Sequence, residues 1–480
     1  MRMARRITGL VALSAAFVMT WTAAASAHGV QGRAETPIPL SAFIWASGAV
    51  LIVSFLGLAL GWRRPILAHV PWRRAPRWLE RFVLSRSLAW GVRFLVLAGF
   101  LVVLWAAMFG STLLSRNVAP LVVFVVWWVG LVPVSAVFGN VWREVNPWAT
   151  LARMARIPER RSDRPYPPRF GWWPAAAYLL LFAWLELVYT TPAEPRTIAA
   201  LIVGYTALNL AAMHRWGVGP WLDHGEVFTV YTYVLSHLSP VEVRWHGNER
   251  RLGFRPPFLA VTRISPRPAM VAFIGVLIGT VTFDGLSGSA LWKLRDVAAA
   301  ERLIKVGVPD LPAGFIVATI GLIVTLLVVI VCFEAASWAS AKAARWPDAT
   351  SMGRMATTFA HTLIPIALAY FVAHYFTLFV FQGQDLIRLA SDPFGSGIDL
   401  FGTADHRIDF QLVSANTIWA VQVAAIVVGH VIALALAHDR ALELARDHRE
   451  ALRSQWPMLA LMVLLTVSGL WSLSEGMAGV

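Results

Sequence analysis

The chain has 480 residues, of which 58% are hydrophobic and only 14% are charged, and its formal net charge is +14. So little charge excludes a soluble globular protein of this size, because charged side chains could not cover its surface. The positive charge does not indicate a nucleic-acid-binding protein, because the arginines are spread between apolar segments instead of being clustered in one domain.

The first 27 residues have the three parts of a secretory signal peptide. Arginines within the first six residues form a basic region, Ile7 to Thr22 is a short apolar core, and small residues end at Ala27. Cleavage after Ala27 would leave His28 as the mature N-terminus on the external side of the membrane. The amine and imidazole of an N-terminal histidine suit copper, so His28 is a candidate metal ligand. An uncleaved anchor is the alternative.

The mature chain, 28–480, contains about ten apolar segments of the length that crosses a bilayer as a helix. In chain order they are 39–60, 93–109, 119–138, 172–189, 197–213, 268–286, 313–333, 356–381, 416–438 and 457–473. Irregular backbone cannot face lipid, so each of these segments is predicted to be a helix. We therefore predict an all-α fold, a polytopic transmembrane helical bundle forming a single domain with the lipid bilayer as its partner.

Basic residues concentrate in alternate connections, which predicts the orientation of the bundle. The basic connections are 61–92, 139–170, 214–268, 334–355 and 438–456, and they hold about 28 of the 41 Lys and Arg residues. Because basic loops stay in the cytoplasm, these connections are predicted to lie on the cytoplasmic side of the cytoplasmic (inner) membrane. The mature N-terminus and the C-terminus are then predicted to lie on its external side. Five spans followed by five of opposite direction would also permit an inverted repeat of the transporter kind.

Three connections are long enough to hold structure of their own. The predicted cytoplasmic insertion, 214–268, contains an amphipathic stretch from Glu226 to Leu238 and then alternating residues around Gly247-Asn248, which predict a β-hairpin. The external loop 287–312 is predicted to form a surface helix around Leu291 to Leu303. The external loop 382–415 is rich in aspartate and glycine, and we interpret it as a solvated face or a lid.

Ionisable side chains inside predicted spans are functional candidates, because burying them in a membrane is costly. They are Glu186, Asp284, His361, His374 and His430. The helical rise of about 1.5 Å per residue, combined with the predicted direction of each span, gives each group a depth. Glu186, Asp284 and His374 fall in one layer near the external face, and His361 and His430 fall in a layer further in.

Two carboxylates and an imidazole at one depth suit a divalent metal such as zinc, which would lower the pKa of a bound water and supply a nucleophile. Asp284, Glu186 and His374 are therefore the candidate catalytic residues and metal ligands, and His361 and His430 are further metal candidates. Each group also has a structural interpretation, as a side chain hydrogen-bonded within the bundle. A third interpretation is that the same groups form the ion or proton path of a transporter or channel.

Several short stretches resemble a family of bacterial integral membrane proteins known as fenitrothion hydrolases. The stretches include His28 to Arg33, Phe138-Gly139-Asn140, Asn146-Pro147-Trp148, Trp184 to Tyr189, Arg255-Pro256-Pro257, Phe283-Asp284-Gly285, His361 to Pro365, Ala373-His374-Tyr375, Phe381 to Gln384, Asp392-Pro393-Phe394, Asp399 to Asp405, Gly429-His430 and Ala437 to Arg440. The resemblance implies hydrolysis of the aryl ester bond of an organothiophosphate, an apolar small molecule that would partition into the bilayer. It supplies no catalytic residues, so the roles given to Glu186, Asp284 and His374 rest on depth and chemistry.

Overall fold

The computed structural model describes residues 40–67, 70–346 and 352–478, with side chains described from Trp45 to Trp471 within those ranges. The predicted signal peptide and the candidate ligand His28 lie outside the described residues, as does the first residue of the first predicted span.

The described chain folds as an all-α bundle, as predicted. Its long helices are α1 (Leu40–Gly61), α3 (Arg86–Phe109), α4 (Val118–Phe138), α7 (Trp173–Leu187), α8 (Pro195–Trp216), α11 (Met270–Ser287), α13 (Asp310–Ala344), α14 (Met352–Gln382), α16 (Ala415–Leu444) and α17 (His448–Ala478). In the described part of the chain, nine of these helices are long and apolar enough to cross a membrane. The remaining one, α1, coincides with the first predicted span, and its described side chains begin only at Trp45.

Shorter helices and one small sheet connect these spans. The short helices are α2 (Arg77–Val83), α5 (Val141–Val145), α6 (Pro147–Met154), α9 (Val218–His224), α10 (Val227–Ser236), α12 (Ala290–Lys305) and α15 (Asp385–Ser391), and the strands are β1 (Arg73–Arg74), β2 (Val241–His246) and β3 (Glu249–Phe254). Helix α12 confirms the helix predicted around Leu291 to Leu303.

Two of the long helices depart from regular α geometry. Helix α4 widens to a π-helix over Val122–Val129, and α14 tightens to a 3-10 helix over Ala360–Leu363, directly before Pro365. Proline cannot donate a backbone hydrogen bond, which accounts for the change of winding at that point. The change also alters the angular relationship between His361 and His374, which regular helical spacing would set at about 140°.

Helices α11, α14 and α16 form the most buried part of the bundle. Helix α11 packs against α7, α13, α14 and α17, and among the described helices the most extensive contact is between α14 and α16. Gly429 makes that contact possible, because a Cβ atom there would overlap Cβ of Ala369 and lie 2.9 Å from the carbonyl oxygen of Pro365. Small residues that let helices approach closely are the usual means of packing inside a membrane, where burial itself supplies little driving force.

The predicted insertion 214–268 contains the expected hairpin. Strands β2 and β3 pair in antiparallel register around Gly247, whose φ of 60° suits the turn. The two-residue strand β1 adds to β3, with Arg73 opposite Phe254. Nothing in the sequence predicted β1, because two residues carry no periodicity.

The prediction that the amphipathic stretch from Glu226 to Leu238 has one solvent-exposed face was wrong. Helix α10 does form there, but every residue from Val227 to Ser236 except Tyr233 is buried. The hydroxyl groups of its two threonines are satisfied internally: Thr229 donates to the Glu226 carboxylate, and Thr232 donates to the Phe228 carbonyl at 2.8 Å. Polar side chains paired in this way can be buried at little cost, so the polar stripe in the sequence did not mark a solvated face.

Candidate functional site

Asp284 and His374 meet at the contact between α11 and α14. The Nε2 atom of His374 lies 2.8 Å from Oδ2 of Asp284, and each side chain is 25% exposed. With its proton on Nε2, the imidazole donates to the carboxylate, and Nδ1 is left as the basic nitrogen. This is the arrangement in which a carboxylate orients a histidine for proton transfer.

A tyrosine completes the contact. The hydroxyl group of Tyr375, the next residue on α14, donates to the same oxygen of Asp284 at 3.2 Å. Tyr375 is only 5% exposed, and its ring packs edge-on against His374 with the ring centroids 4.8 Å apart. Asp284 is therefore held by two donors from one turn of α14, which fixes the position of the imidazole.

Glu186, on α7, lies beside this pair without hydrogen-bonding to it. It is close enough to Asp284 for the two carboxyl groups to interact electrostatically. Its Oε2 atom is buried and has no hydrogen-bond partner among the described residues. The structure thus brings all three residues of the predicted external layer into one region, but only Asp284 and His374 touch.

Two further buried polar atoms near Glu186 also lack partners. The indole of Trp128 faces the Glu186 carboxyl group, and Tyr231 lies within range of its charge. Neither Nε1 of Trp128 nor the hydroxyl of Tyr231 has a hydrogen-bond partner among the described residues. The two rings stack with centroids 5.2 Å apart. Because buried polar atoms are almost always paired, this group of donors and acceptors indicates a place for a polar ligand or water.

A small cleft opens beside His374, between α11, α14 and α17. Thr282, Tyr370 and Ser468 line it together with His374. The ring of Tyr370 approaches the backbone of Gly469 so closely that a Cβ atom there would overlap it. His374 therefore lines this cleft and also contacts Asp284.

No hydrogen bond joins the two inner-layer histidines to each other in the described part of the chain. His430 is fully buried and its Nδ1 binds the carbonyl of Ile426 at 2.8 Å, which is the structural interpretation given above. His361 lies in the 3-10 segment of α14 and is 7% exposed. In both residues Nε2 is buried without a partner among the described residues. Each nitrogen remains capable of accepting a proton or a hydrogen bond.

The donor set around His374 does not match a metal held entirely by protein. Among the described residues, no three or more His, Cys, Asp or Glu side chains lie in a group that could hold an ion. A catalytic zinc site has three protein ligands, and here only an imidazole and one carboxylate are in contact. The predicted metal, with His361 and His430 as further ligands, stays a prediction.

Sequence reasoning missed the aromatic members of this site. Trp128, Tyr231 and Tyr375 lie on α4, α10 and α14, and none carries an ionisable group that is costly in a membrane. Tryptophan and tyrosine are frequent at membrane interfaces, so the positions of these three residues carried no functional signal. Tyr231 was assigned to an extramembranous stretch, and only the burial of α10 brings it near Glu186.

The fold and its spans define a multi-pass α-helical membrane protein. No family model, curated protein or solved structure matches the chain.

Proposed function

We propose that this protein is a membrane-embedded hydrolase of organophosphate- or organothiophosphate-type esters. The observation that carries the proposal is the hydrogen bond between Asp284 and His374 inside an apolar bundle. An oriented imidazole that also lines a cleft is what general-base activation of water requires. The resemblance to fenitrothion hydrolases supplies the substrate class.

In the proposed reaction, Nδ1 of His374 accepts a proton from a water molecule, and the resulting hydroxide attacks phosphorus. The bond between phosphorus and the aryl oxygen breaks, and the aryl oxide leaves with the electron pair. Asp284 stabilises the imidazolium that forms. A nitrophenolate is a stable leaving group, so no general acid is needed. The proton then returns to solvent through the cleft at His374.

The unpaired donors near Glu186 have a place in this scheme. The phosphoryl or thiophosphoryl group gains negative charge as hydroxide adds. The N–H of Trp128 and the O–H of Tyr231 are donors in a nearly dry site, where such hydrogen bonds are strong.

The test is release of nitrophenolate from an aryl phosphotriester by the detergent-purified protein. We expect Asp284→Asn and His374→Gln each to lower kcat by roughly 10²–10⁴-fold, the usual contribution of general-base catalysis. Matched controls are Asp310→Asn and His214→Gln, because both residues are exposed on membrane-length helices away from the cleft. Full activity in both site variants would exclude this site, whatever the reaction.

The predicted divalent metal can be tested for in the same purified protein. Elemental analysis of wild type and His374→Gln gives the metal content per chain, and chelation followed by assay gives its role. Equal metal content in both proteins, or unchanged activity after chelation, argues for the base mechanism without a metal. His28 is tested in the same way with His28→Ala, as a separate candidate copper ligand.

The second candidate function is proton-coupled transport. The buried, partnerless nitrogens of His361 and His430, together with Glu186, favour it, because they place proton-binding groups at several depths of the bundle. Uptake of substrate into proteoliposomes without turnover would select transport over hydrolysis. The proposed orientation, with both termini of the mature chain outside the inner membrane, is tested by labelling cysteines introduced in 382–415 and 438–456 of intact cells.

A further inference from the structure

A second polar cavity lies at the opposite end of α11 from Asp284. It has a volume of about 220 Å³. Its polar lining residues are Asn140, Arg143, Asp223, His224, Thr229, Tyr233 and Arg267. Fourteen residues of helix separate Met270, at the start of α11, from Asp284, a distance of about 21 Å. This cavity is therefore separate from the site proposed for hydrolysis.

Arg267 is held in the cavity by aromatic rings. Its guanidinium carbon lies 5.2 Å from the centre of the Trp172 ring and 5.5 Å from that of Tyr233. Trp172 is fully buried, and its Nε1 donates to the Asp223 carbonyl at 3.3 Å, so this wall is fixed. Stacking positions a guanidinium while leaving its N–H groups free to donate in its own plane.

The charges in the cavity do not cancel. Arg143 binds Oδ1 of Asp223 through both Nε, at 3.0 Å, and Nη2, at 2.7 Å. Among the described residues no carboxylate forms an ion pair with Arg267. One carboxylate thus faces two guanidinium groups, and the excess positive charge is that of Arg267.

We infer that this cavity binds a small phosphate-type anion. Arginine donates two parallel hydrogen bonds to phosphate oxygens, and such charge-assisted bonds are strong. The hydroxyl of Tyr233 and the amide of Asn140 add neutral donors at the wall. A cavity smaller than the roughly 300–1,000 Å³ of sites for drug-sized ligands suits inorganic phosphate or the head group of an anionic lipid.

The surroundings favour a phosphate source on the cytoplasmic side. Asn140 and Arg143 follow α4, and Arg267 precedes α11, in connections that the distribution of basic residues assigns to the cytoplasm. Basic pockets between helices on that side are where phosphate head groups of anionic lipids bind. Free phosphate and a lipid head group offer the same chemistry to Arg267.

Isothermal titration of the full-length, detergent-purified protein with inorganic phosphate and with dioctanoyl phosphatidic acid tests the inference. We expect at least one of them to bind, and Arg267→Gln to weaken that binding at least tenfold. Arg169→Gln is the matched control, because Arg169 also lies over an aromatic ring, at 5.6 Å from the centre of Phe170, but outside the cavity. Binding should also weaken at high salt.

Arg143→Gln provides a second variant, in case Arg267→Gln does not fold. It removes one guanidinium and frees the Asp223 carboxylate to repel an anion, so it too should weaken binding at least tenfold. Binding of phosphate identifies a free anion as the ligand, and binding of the lipid alone identifies a head group. Absence of binding by both probes, or equal binding by wild type and the folded cavity variants, overturns the inference.

Discussion

The hydroxyl group of Tyr375 lies 3.2 Å from Oδ2 of Asp284, the same oxygen that binds the His374 imidazole. One carboxylate oxygen therefore receives two donors from adjacent residues of α14. The second donor restrains the carboxylate and, through it, the imidazole. Tyr375 is accordingly a positioning residue, whose role can be separated from that of Asp284 itself.

Tyr375→Phe removes the hydroxyl and keeps the ring packing against His374. We expect kcat for the aryl phosphotriester to fall about tenfold to a hundredfold with KM unchanged, because a hydrogen bond to a charged group contributes roughly 1.5–3 kcal/mol. Steady-state kinetics measure both constants. Tyr178→Phe is the matched control, since Tyr178 lies on α7 and packs near Tyr205 with ring centroids 6.3 Å apart. A change in KM alone would contradict the positioning role.

Glu226 is a fully buried carboxylate that stabilises the fold. It accepts hydrogen bonds from the Tyr205 hydroxyl at 2.7 Å, from the Asn146 amide at 3.0 Å, and from the backbone and hydroxyl of Thr229. Glu226→Gln puts an amide N–H₂ against these donors and leaves some of them unpaired. We expect a loss of about 1–3 kcal/mol of stability.

The measurement for Glu226→Gln is thermal unfolding in detergent, followed by circular dichroism. Glu194→Gln is the control, because Glu194 precedes α8 and is exposed without a side-chain capping bond. Equal unfolding midpoints for the two variants would show that the carboxylate of Glu226 is not needed for the buried position of α10.

Gly429→Ala tests the contact between α14 and α16. The added methyl group would overlap Cβ of Ala369, and the neighbouring backbone of Pro365 limits relaxation. Overpacking of this kind costs about 1–3 kcal/mol. Gly204→Ala, in α8, is the control, since no heavy atom lies within 4 Å of its added Cβ. The control should be neutral or slightly more stable, because alanine favours a helix over glycine. Thermal unfolding that ranks the two variants in the reverse order would refute this packing.

The small sheet should lose stability in acid through Glu80. Its carboxylate accepts hydrogen bonds from Arg74 at 2.6 Å and from Arg251 at 3.0 Å. The bond from Arg74, then that from Arg251, lowers the pKa of Glu80 from 4.5 to about 2, against the opposing effect of burial. Because the folded-state pKa is the lower one, this stabilisation is complete above about pH 5 and is lost as the pH falls from there towards 2.

The measurement is the unfolding midpoint of wild type minus that of Glu80→Gln at several pH values. The difference should be constant from pH 7 to about pH 5.5 and should shrink at pH 3. Glu301→Gln, at an exposed position on α12, should give no such trend. A difference that grows as the pH falls would contradict the sign of the pKa shift.

Much of this architecture was predictable from local sequence. A membrane leaves the backbone no hydrogen-bonding partner but itself, so hydropathy and length are enough to assign helices. The surface helix around Leu291 to Leu303 and the hairpin around Gly247-Asn248 also follow from local signals, a helical pattern and a turn. The predicted depth of Asp284 and His374 placed them at one level, and the structure brings them into contact.

The sequence alone determined the membrane class, the helices and the costly ionisable groups within them, because each depends on residues near one another in the chain. Only the tertiary structure decided which of those groups meet. Depth along a helix follows from its rise, but rotation about its axis depends on packing against neighbouring helices. The sequence therefore could not show that Asp284, and not Glu186, contacts His374. The burial of α10 and the cavity around Arg267 likewise depend on contacts between segments far apart in sequence.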